Sequence, residues 1–222
     1  MTLSINNQST VVFDLDDTLY NEIDFLKSSY LAIAKELDSS NAIQLYARMF
    51  SMYRNNENVF EFIASTYNIT VEELIVAYRN HIPNIKLFEH IEPLLLAIKN
   101  EGGKIAVITD GRSTTQRNKI KELGVESYLD LIIISEEIGS EKPSLKNFQM
   151  IETMLKTTHN TYIADNLKKD FIAPNLLGWN SICLIDNGKN IHKHKDAYYT
   201  IKENSPNQYI YNFKDITIAP ML

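Results

Sequence analysis

The sequence predicts an α/β fold, in which a Rossmann-like core with a parallel sheet is interrupted by an inserted helical cap domain. Short, continuous runs of Val, Ile, Leu and Ala alternate with helical segments over residues 104–185. This alternation is typical of parallel strands joined by crossover helices. Between residues 21 and 84, apolar residues instead recur three and four positions apart. We therefore expect a core made of residues 1–20 and 85–222, and a helical cap made of residues 21–84.

Each element is predicted from its own local pattern. Runs of β-branched and aromatic residues predict the strands, which are residues 11–13, 104–108, 131–134, 162–164 and 182–185, with a last short one at 198–201. Helical spacing, often ended by Gly, predicts the core helices 93–100, 113–123, 145–155 and 172–177. In the cap, Thr70 followed by Glu73 predicts a helix start with a capping box.

The composition limits the classes of protein to consider. Hydrophobic residues make up 44% and charged residues 23% of the 222 residues, which is ordinary for a globular protein. The net charge of -6 argues against a general nucleic-acid binder. The N-terminal segment is polar, no apolar stretch is long enough to span a bilayer, and the single cysteine, Cys183, allows no intramolecular disulfide. We expect a cytoplasmic protein without a membrane or nucleic-acid partner, and the oligomeric state stays open.

Polar residues follow the predicted strands where ligands bind in a doubly wound sheet, at the carboxyl ends of the strands. In chain order these residues are Asp14, Asp16, Thr109, Asp110, Gly111, Lys142, Asp165 and Asp170. Any one of them has an ordinary structural explanation, such as a polar turn, a helix cap or a solvated loop lysine. Their occurrence after successive strands favours a single site.

Asp14 and Asp16 have the spacing and chemistry for phosphate transfer. A carboxylate can attack phosphorus and form an acyl phosphate, which divides one difficult step into two easier ones. A second carboxylate can protonate the leaving oxygen and later take a proton from water. Asp165 could complete an oxygen shell for Mg²⁺, the cofactor we expect.

The other residues after the strands suit a phosphoryl group. Thr109 offers a hydroxyl donor, and Asp110 and Gly111 offer backbone N–H groups at the start of a helix, where an anion is favoured. Lys142 offers a positive charge. Arg112, directly after the phosphate loop of Thr109, Asp110 and Gly111, is a further candidate for substrate binding. Positioning and charge stabilisation account for most of the catalysis of phosphoryl transfer.

Four segments give the chain a resemblance to the haloacid dehalogenase-like (HAD) hydrolase superfamily. They are residues 11–19 (VVFDLDDTL), 107–111 (VITDG), 142–143 (KP) and 165–170 (DNLKKD). The resemblance implies that Asp14 is the nucleophile and Asp16 the acid and base. It also implies that Asp14, the backbone carbonyl of Asp16, and Asp165 bind Mg²⁺, while Thr109 and Lys142 hold the phosphate and Asp170 supports Lys142 or a metal-bound water. One departure is Ala164, where the family usually has Gly.

The helical insertion after the first strand resembles that of the family's helical-cap subgroup. Dehalogenases and phosphonate-cleaving members of that subgroup lack an acid at the position of Asp16, so its presence favours a small-metabolite phosphatase. A sugar phosphomutase keeps both acids and stays an alternative, as does a non-catalytic protein that binds a phosphate ligand. The expected partner is a small phosphorylated metabolite. Candidate substrate contacts in the cap are Tyr20, Arg48, Tyr53, Arg54 and Arg79, while residues 189–195, with His192 and His194, are predicted to form a solvated loop.

Overall fold

The computed structural model describes residues 1–193 and 195–221 and contains the predicted parallel sheet. In these residues the main sheet has six strands, which are β2 (Ser9–Phe13), β3 (Lys104–Thr109), β4 (Leu131–Ile134), β5 (His159–Ala164), β6 (Asn180–Leu184) and β7 (Gln208–Ile210). Their order in the sheet is β4-β3-β2-β5-β6-β7, and all neighbours are parallel. The predicted α/β class with a parallel sheet core is confirmed.

Helices cover both faces of this sheet and fill the insertion after β2. The insertion contains α1 (Glu22–Leu37), α2 (Ala42–Arg54), α3 (Val59–Tyr67) and α4 (Val71–Asn80). The helices of the core are α5 (Ile91–Asn100), α6 (Ser113–Glu122), α7 (Ser135–Ile138), α8 (Leu145–Leu155) and α9 (Ile172–Leu176). None of the helices in the described residues has the length and apolar character needed to cross a membrane.

Alternating side chains of the strands enter two separate apolar clusters. In β2, Val11 and Phe13 face the cluster that α5 covers, while Val12 faces the cluster that α8 covers. All three are fully buried, as period-two alternation requires of a central strand with helices on both sides. The inserted helices bury a third cluster of their own, around Tyr30, Met49 and other apolar residues. The predicted capping box is present, because Thr70 and Glu73 exchange both hydrogen bonds at the start of α4.

The structure differs from the sequence prediction near the C-terminus. The predicted strand at residues 198–201 is wrong, because a 3-10 helix occupies Asp196–Tyr199 and the edge strand is β7. Tyr199 and Ile201 are 54% and 41% exposed, so their apolar character does not mark a sheet position. Ser181 in β6 and Asn207, directly before β7, exchange hydrogen bonds that hold β7 at the edge of β6. Local β propensity does not encode this pairing.

A second, two-stranded sheet joins the ends of the chain and was not predicted. It consists of β1 (Thr2–Ile5) and β8 (Thr217–Pro220), which are parallel. Leu3 and Ile5 are buried and alternate with exposed residues, so β1 has the pattern of a half-buried strand.

We expect Phe148→Ala to destabilise the core. The Phe148 ring is fully buried and contacts the rings of Tyr162 and Trp179, with centroids 5.0 and 5.5 Å away. Its loss should lower the free energy of unfolding by about 3–5 kcal/mol in a urea titration. The matched control on the same helix is Met154→Ala, whose side chain is 57% exposed and whose effect should stay below about 0.5 kcal/mol. Equal effects of the two variants would contradict this packing.

Candidate active site

The carboxyl ends of β2, β3 and β5 bring the central acidic and hydroxyl groups together. Asp14 directly follows β2, Thr109 ends β3, and Asp165 directly follows β5. The Asp14 backbone N–H donates to the carbonyl of Ile163 at 2.9 Å, which extends the pairing of β2 and β5 up to the site. Ala164 ends β5 in an extended pairing with Cys183, so the strand accepts Ala at this position without a positive φ.

Lys142 connects two buried carboxylates. Its Nζ lies 2.8 Å from Asp14 Oδ1 and 2.8 Å from Asp170 Oδ1, and it donates to the Tyr162 hydroxyl at 3.2 Å. Burial opposes the charge, yet Asp14 and Asp170 hold the pKa of Lys142 well above its usual range. Burial raises the pKa of Asp14 to about 7; Lys142 opposes this rise and Asp170 adds to it.

Three buried carboxylates converge beside this ion pair. One oxygen each of Asp14, Asp165 and Asp170 lies within 4.8 Å of the other two. Burial, followed by the charges of Asp170 and Asp14, holds the pKa of Asp165 well above its usual range. Such a cluster has excess negative charge that Lys142 alone does not balance, and hard oxygen donors suit Mg²⁺. The donor set therefore fits the predicted divalent cation.

The Asp110 carboxylate binds two lysines of the site, Lys142 and Lys169. It accepts from the Lys142 backbone N–H at 3.0 Å and from Lys169 Nζ at 2.6 Å. The Asp110 side chain thus fixes the Lys142 backbone, while the Lys142 ammonium turns toward Asp14. Sequence reasoning assigned Asp110 only a backbone role and did not identify Lys169.

The predicted phosphate donors have partners within the protein. The Thr109 hydroxyl is buried and accepts from Gln116 Nε2 at 2.5 Å, and the Gly111 N–H donates to Ser135 Oγ at 2.9 Å. Gly111 has φ of 138°, and a Cβ there would lie 3.2 Å from the Gln116 side chain, so the turn requires glycine. The Gly111 amide is thus engaged with Ser135 in this structure, and its role as a donor to phosphate stays a prediction.

The Asp16 carboxylate faces a different set of donors. Oδ1 accepts from Lys119 Nζ at 2.7 Å and from the Tyr20 hydroxyl at 2.5 Å, and Oδ2 accepts from Gln116 at 2.8 Å. Burial alone would raise the pKa of Asp16, but the charge of Lys119 and these hydrogen bonds hold it below its usual value. Its side chain is not part of the group formed by Asp14, Asp165 and Asp170, and the binding of Mg²⁺ by its backbone carbonyl stays a prediction.

Two adjoining cavities open at this edge of the sheet. The smaller, of about 90 Å³, has walls that include Asp14, Asp16, Thr109, Lys142 and Asp165. The larger, of about 350 Å³, lies between the core and the inserted helices and shares Asp16, Glu22 and Asp110 with the smaller one. Its other walls are Phe25, Phe60, Ile75, Tyr78, Arg79, Gly111, Arg112, Thr115, Gln116 and Lys119. A phosphoryl group in the smaller cavity would place the rest of a substrate in the larger one.

The remaining candidate substrate contacts divide into residues that line the larger cavity or contact Asp16, and residues that do neither. Arg79 and Arg112 line the larger cavity, and Arg112 is paired with Glu136 at 2.7 Å on the exposed rim. Tyr20 is fully buried and contacts Asp16. In contrast, Arg48 stacks over the Phe62 ring. Neither Tyr53 nor Arg54 is among the described residues that line the two cavities.

The sequence did not identify several other residues at this edge of the sheet. Lys119 and Gln116 lie three residues apart on α6, which starts directly after the phosphate loop. The sequence signal that could have identified them is their spacing, which places both side chains on one face of the helix.

Glu22 is a further acidic residue at this site. Burial and the charge of Asp16 raise the pKa of Glu22 to about 8.

The loop after β6 also reaches the site. Asn190 donates to Asp165 Oδ2 at 2.8 Å, and the Ile191 N–H donates to Asp17 Oδ2 at 2.9 Å. His192 is exposed, as predicted for a solvated loop, and it also lines the smaller cavity. His194 lies outside the described residues.

Comparison with known proteins agrees with this geometry. A family model described as haloacid dehalogenase-like hydrolase matches residues 11–183. A glyceraldehyde 3-phosphate phosphatase of Methanocaldococcus jannaschii is 28% identical over 209 residues, which cover 86% of this chain and 91% of that protein. A phosphatase of the same name from Methanopyrus kandleri is 27% identical, covering 76% of this chain and 80% of the relative.

Solved structures show the same fold. The crystal structure of a HAD phosphatase from Thermococcus onnurineus has a TM-score of 0.60 at 18% identity, and covers 93% of this chain and 95% of its own. The predicted assignments to this family, to its Rossmann-like fold and to the hydrolases of phosphoric monoesters are confirmed by these matches. The chain belongs to the haloacid dehalogenase-like hydrolase family.

Proposed function

We propose that the protein is a magnesium-dependent phosphatase that hydrolyses a small phosphorylated metabolite through a phosphoryl group carried by Asp14. The observation that carries the proposal is the Asp14 carboxylate, which is buried, held by Lys142 and open to a small polar cavity. A nucleophilic carboxylate next to a buried cation suits a dianionic substrate, because the cation offsets the repulsion between the two.

The first step transfers the phosphoryl group to the enzyme. Asp14 attacks phosphorus, the bond between phosphorus and the leaving oxygen breaks, and this oxygen takes up a proton from the protonated form of Asp16, which the second step of each turnover regenerates. Lys142 and the Thr109 hydroxyl face the same cavity and would bind the phosphoryl oxygens. To bind a phosphoryl oxygen, the Thr109 hydroxyl would donate its hydrogen, which is available because Gln116 is the donor in the hydrogen bond between the two side chains.

The second step returns Asp14 to its starting state. A water molecule attacks the phosphorus of phosphoryl-Asp14, Asp16 takes a proton from that water, and the bond between phosphorus and the Asp14 oxygen breaks, which releases inorganic phosphate and the free Asp14 carboxylate. Asp16 is thereby acid in one step and base in the next. Its position between the two cavities suits both tasks, because the leaving group and then the water would occupy the side facing the larger cavity.

We propose that Asp14, Asp165 and the backbone carbonyl of Asp16 hold the Mg²⁺, with Asp170 supporting Lys142. When bound, the cation would supply charge neutralisation for the substrate phosphate and for the carboxylate cluster. The raised pKa values of Asp14 and Asp165 support this, because a cation would favour their ionised forms.

The inserted helices, residues 21–84, are proposed to act as the cap that selects the leaving group. The larger cavity lies beneath them and brings Phe60, Tyr78 and Arg79 opposite the core. Relatives named for glyceraldehyde 3-phosphate hydrolysis support a small sugar phosphate as the substrate class. A cytoplasmic location stays a prediction.

The nucleophile is tested by Asp14→Asn. We expect release of inorganic phosphate from a panel of phosphorylated metabolites to fall by at least about 10³-fold, since the amide is a poor nucleophile. The control is Asp24→Asn, which removes a carboxylate on α1 whose side chain is 43% exposed, and should leave the rate unchanged. Retained activity in Asp14→Asn would overturn the proposal. An isomerised product without free phosphate would identify a phosphomutase instead, and binding without turnover would identify a non-catalytic protein.

Metal dependence is tested by activity and by stability. A chelator should abolish phosphate release, and millimolar Mg²⁺ should restore it. Mg²⁺ should also raise the midpoint of thermal unfolding, because a ligand that binds only the folded state stabilises it. Asp165→Asn should lose most of that rise, whereas Asp24→Asn should keep it. Full activity in the presence of chelator would contradict the metal site.

A further inference from the structure

Helix α6 has an unusual buried face. Its buried residues are Thr115, Gln116, Lys119 and Ile120, so mostly polar side chains face inward. Lys119 is 3% exposed, although burial of an ammonium group is costly unless the group is paired and hydrogen-bonded. Lys121, two positions further along the same helix, is exposed. The helix therefore directs one lysine into the protein and the other into solvent.

The Lys119 ammonium is enclosed on several sides. It lies 2.7 Å from Asp16 Oδ1, 4.6 Å from the centroid of the Phe25 ring and 5.9 Å from that of Tyr20. Both rings come from the segment that leads from β2 into α1. Contact with two aromatic faces and a carboxylate leaves Lys119 with a single well-defined position.

Asp16 has no freedom to turn while these donors are present. Lys119 and Tyr20 bind Oδ1, and Gln116 binds Oδ2, so both oxygens are fixed. Gln116 also donates to Thr109, which links the orientation of Asp16 to the phosphate-binding hydroxyl. Lys119 is the only charged member of the three donors, and charge-assisted hydrogen bonds are roughly twice as strong as neutral ones.

We propose that Lys119 is a positioning residue that holds the Asp16 carboxylate toward the leaving oxygen of the substrate. This inference rests on the proposed function, because it concerns the acid step of that reaction. Lys119 lines the larger cavity, but its ammonium group binds Asp16, and the inferred role is exercised through that carboxylate. A misplacement of the acid by about 1 Å can cost on the order of 10²-fold in rate.

The test uses leaving groups of different basicity. A poor leaving group, such as the alcohol of an alkyl phosphate, needs protonation as it departs, whereas nitrophenolate departs with little help. In Lys119→Met we expect kcat/KM to fall by about 10- to 100-fold for the alkyl phosphate and by less than about 3-fold for nitrophenyl phosphate. Asp16→Asn should show the same selectivity to a greater extent. The matched control Lys121→Met should change neither value.

A conservative variant separates positioning from folding. Lys119→Arg keeps a cation next to Asp16 and should recover part of the activity on the alkyl phosphate, even if Lys119→Met folds poorly. An equal loss for both substrates, or no loss for either, in Lys119→Met would overturn the inference while the wild-type phosphatase activity stands. A wild-type protein that releases phosphate from neither ester would overturn the proposed function and this inference together.

Discussion

The ammonium group of Lys142 lies between the carboxylates of Asp14 and Asp170, and the arrangement of the site depends on it. These three side chains come from three different loops, and all are nearly inaccessible to solvent. Buried carboxylates repel each other and favour their protonated forms, so a cation between them is needed to keep either one charged. The same contact therefore compensates buried charge and holds the Asp14 carboxylate at the wall of the smaller cavity. Removal of Lys142 would leave uncompensated buried charge, with a cost to stability.

Around this ion pair, the site divides its tasks between the sheet and the helices. The strand ends hold Asp14, Thr109 and Asp165 at fixed distances, because neighbouring parallel strands are tied by backbone hydrogen bonds. The Asp16 carboxylate is instead oriented by α6 and by Tyr20, which precedes the inserted helices. Asp14 and Asp16 are thus held by different groups, so a substitution that disturbs one need not disturb the other. The larger cavity has walls from both the core and the inserted helices, so a change in the helices can alter the shape of this cavity without altering Asp14.

Much of this architecture follows from local sequence patterns. Continuous apolar runs identified five strands of the main sheet, because a strand buried on both faces requires such a run. The edge strand β7 was misplaced and β1 with β8 was missed, because short strands depend on which neighbour they pair with, and propensity does not encode pairing. The sequence predicted the exposure of His192 but not its place at the cavity wall, since its approach to the cavity results from the hydrogen bonds of Asn190 and Ile191 to distant carboxylates.

By itself, the sequence determined the chemistry available at the strand ends: which carboxylates, hydroxyl and lysine are present, and in which order. The tertiary structure alone decided their partners. It placed Asp170 with Asp14 and Asp165, engaged the Gly111 amide with Ser135, and buried Lys119 against Asp16. The physical reason is that chain order sets the positions of residues within strands and helices. Charge pairing and burial, in contrast, depend on side chains far apart in the chain that meet only when the sheet and its helices are assembled.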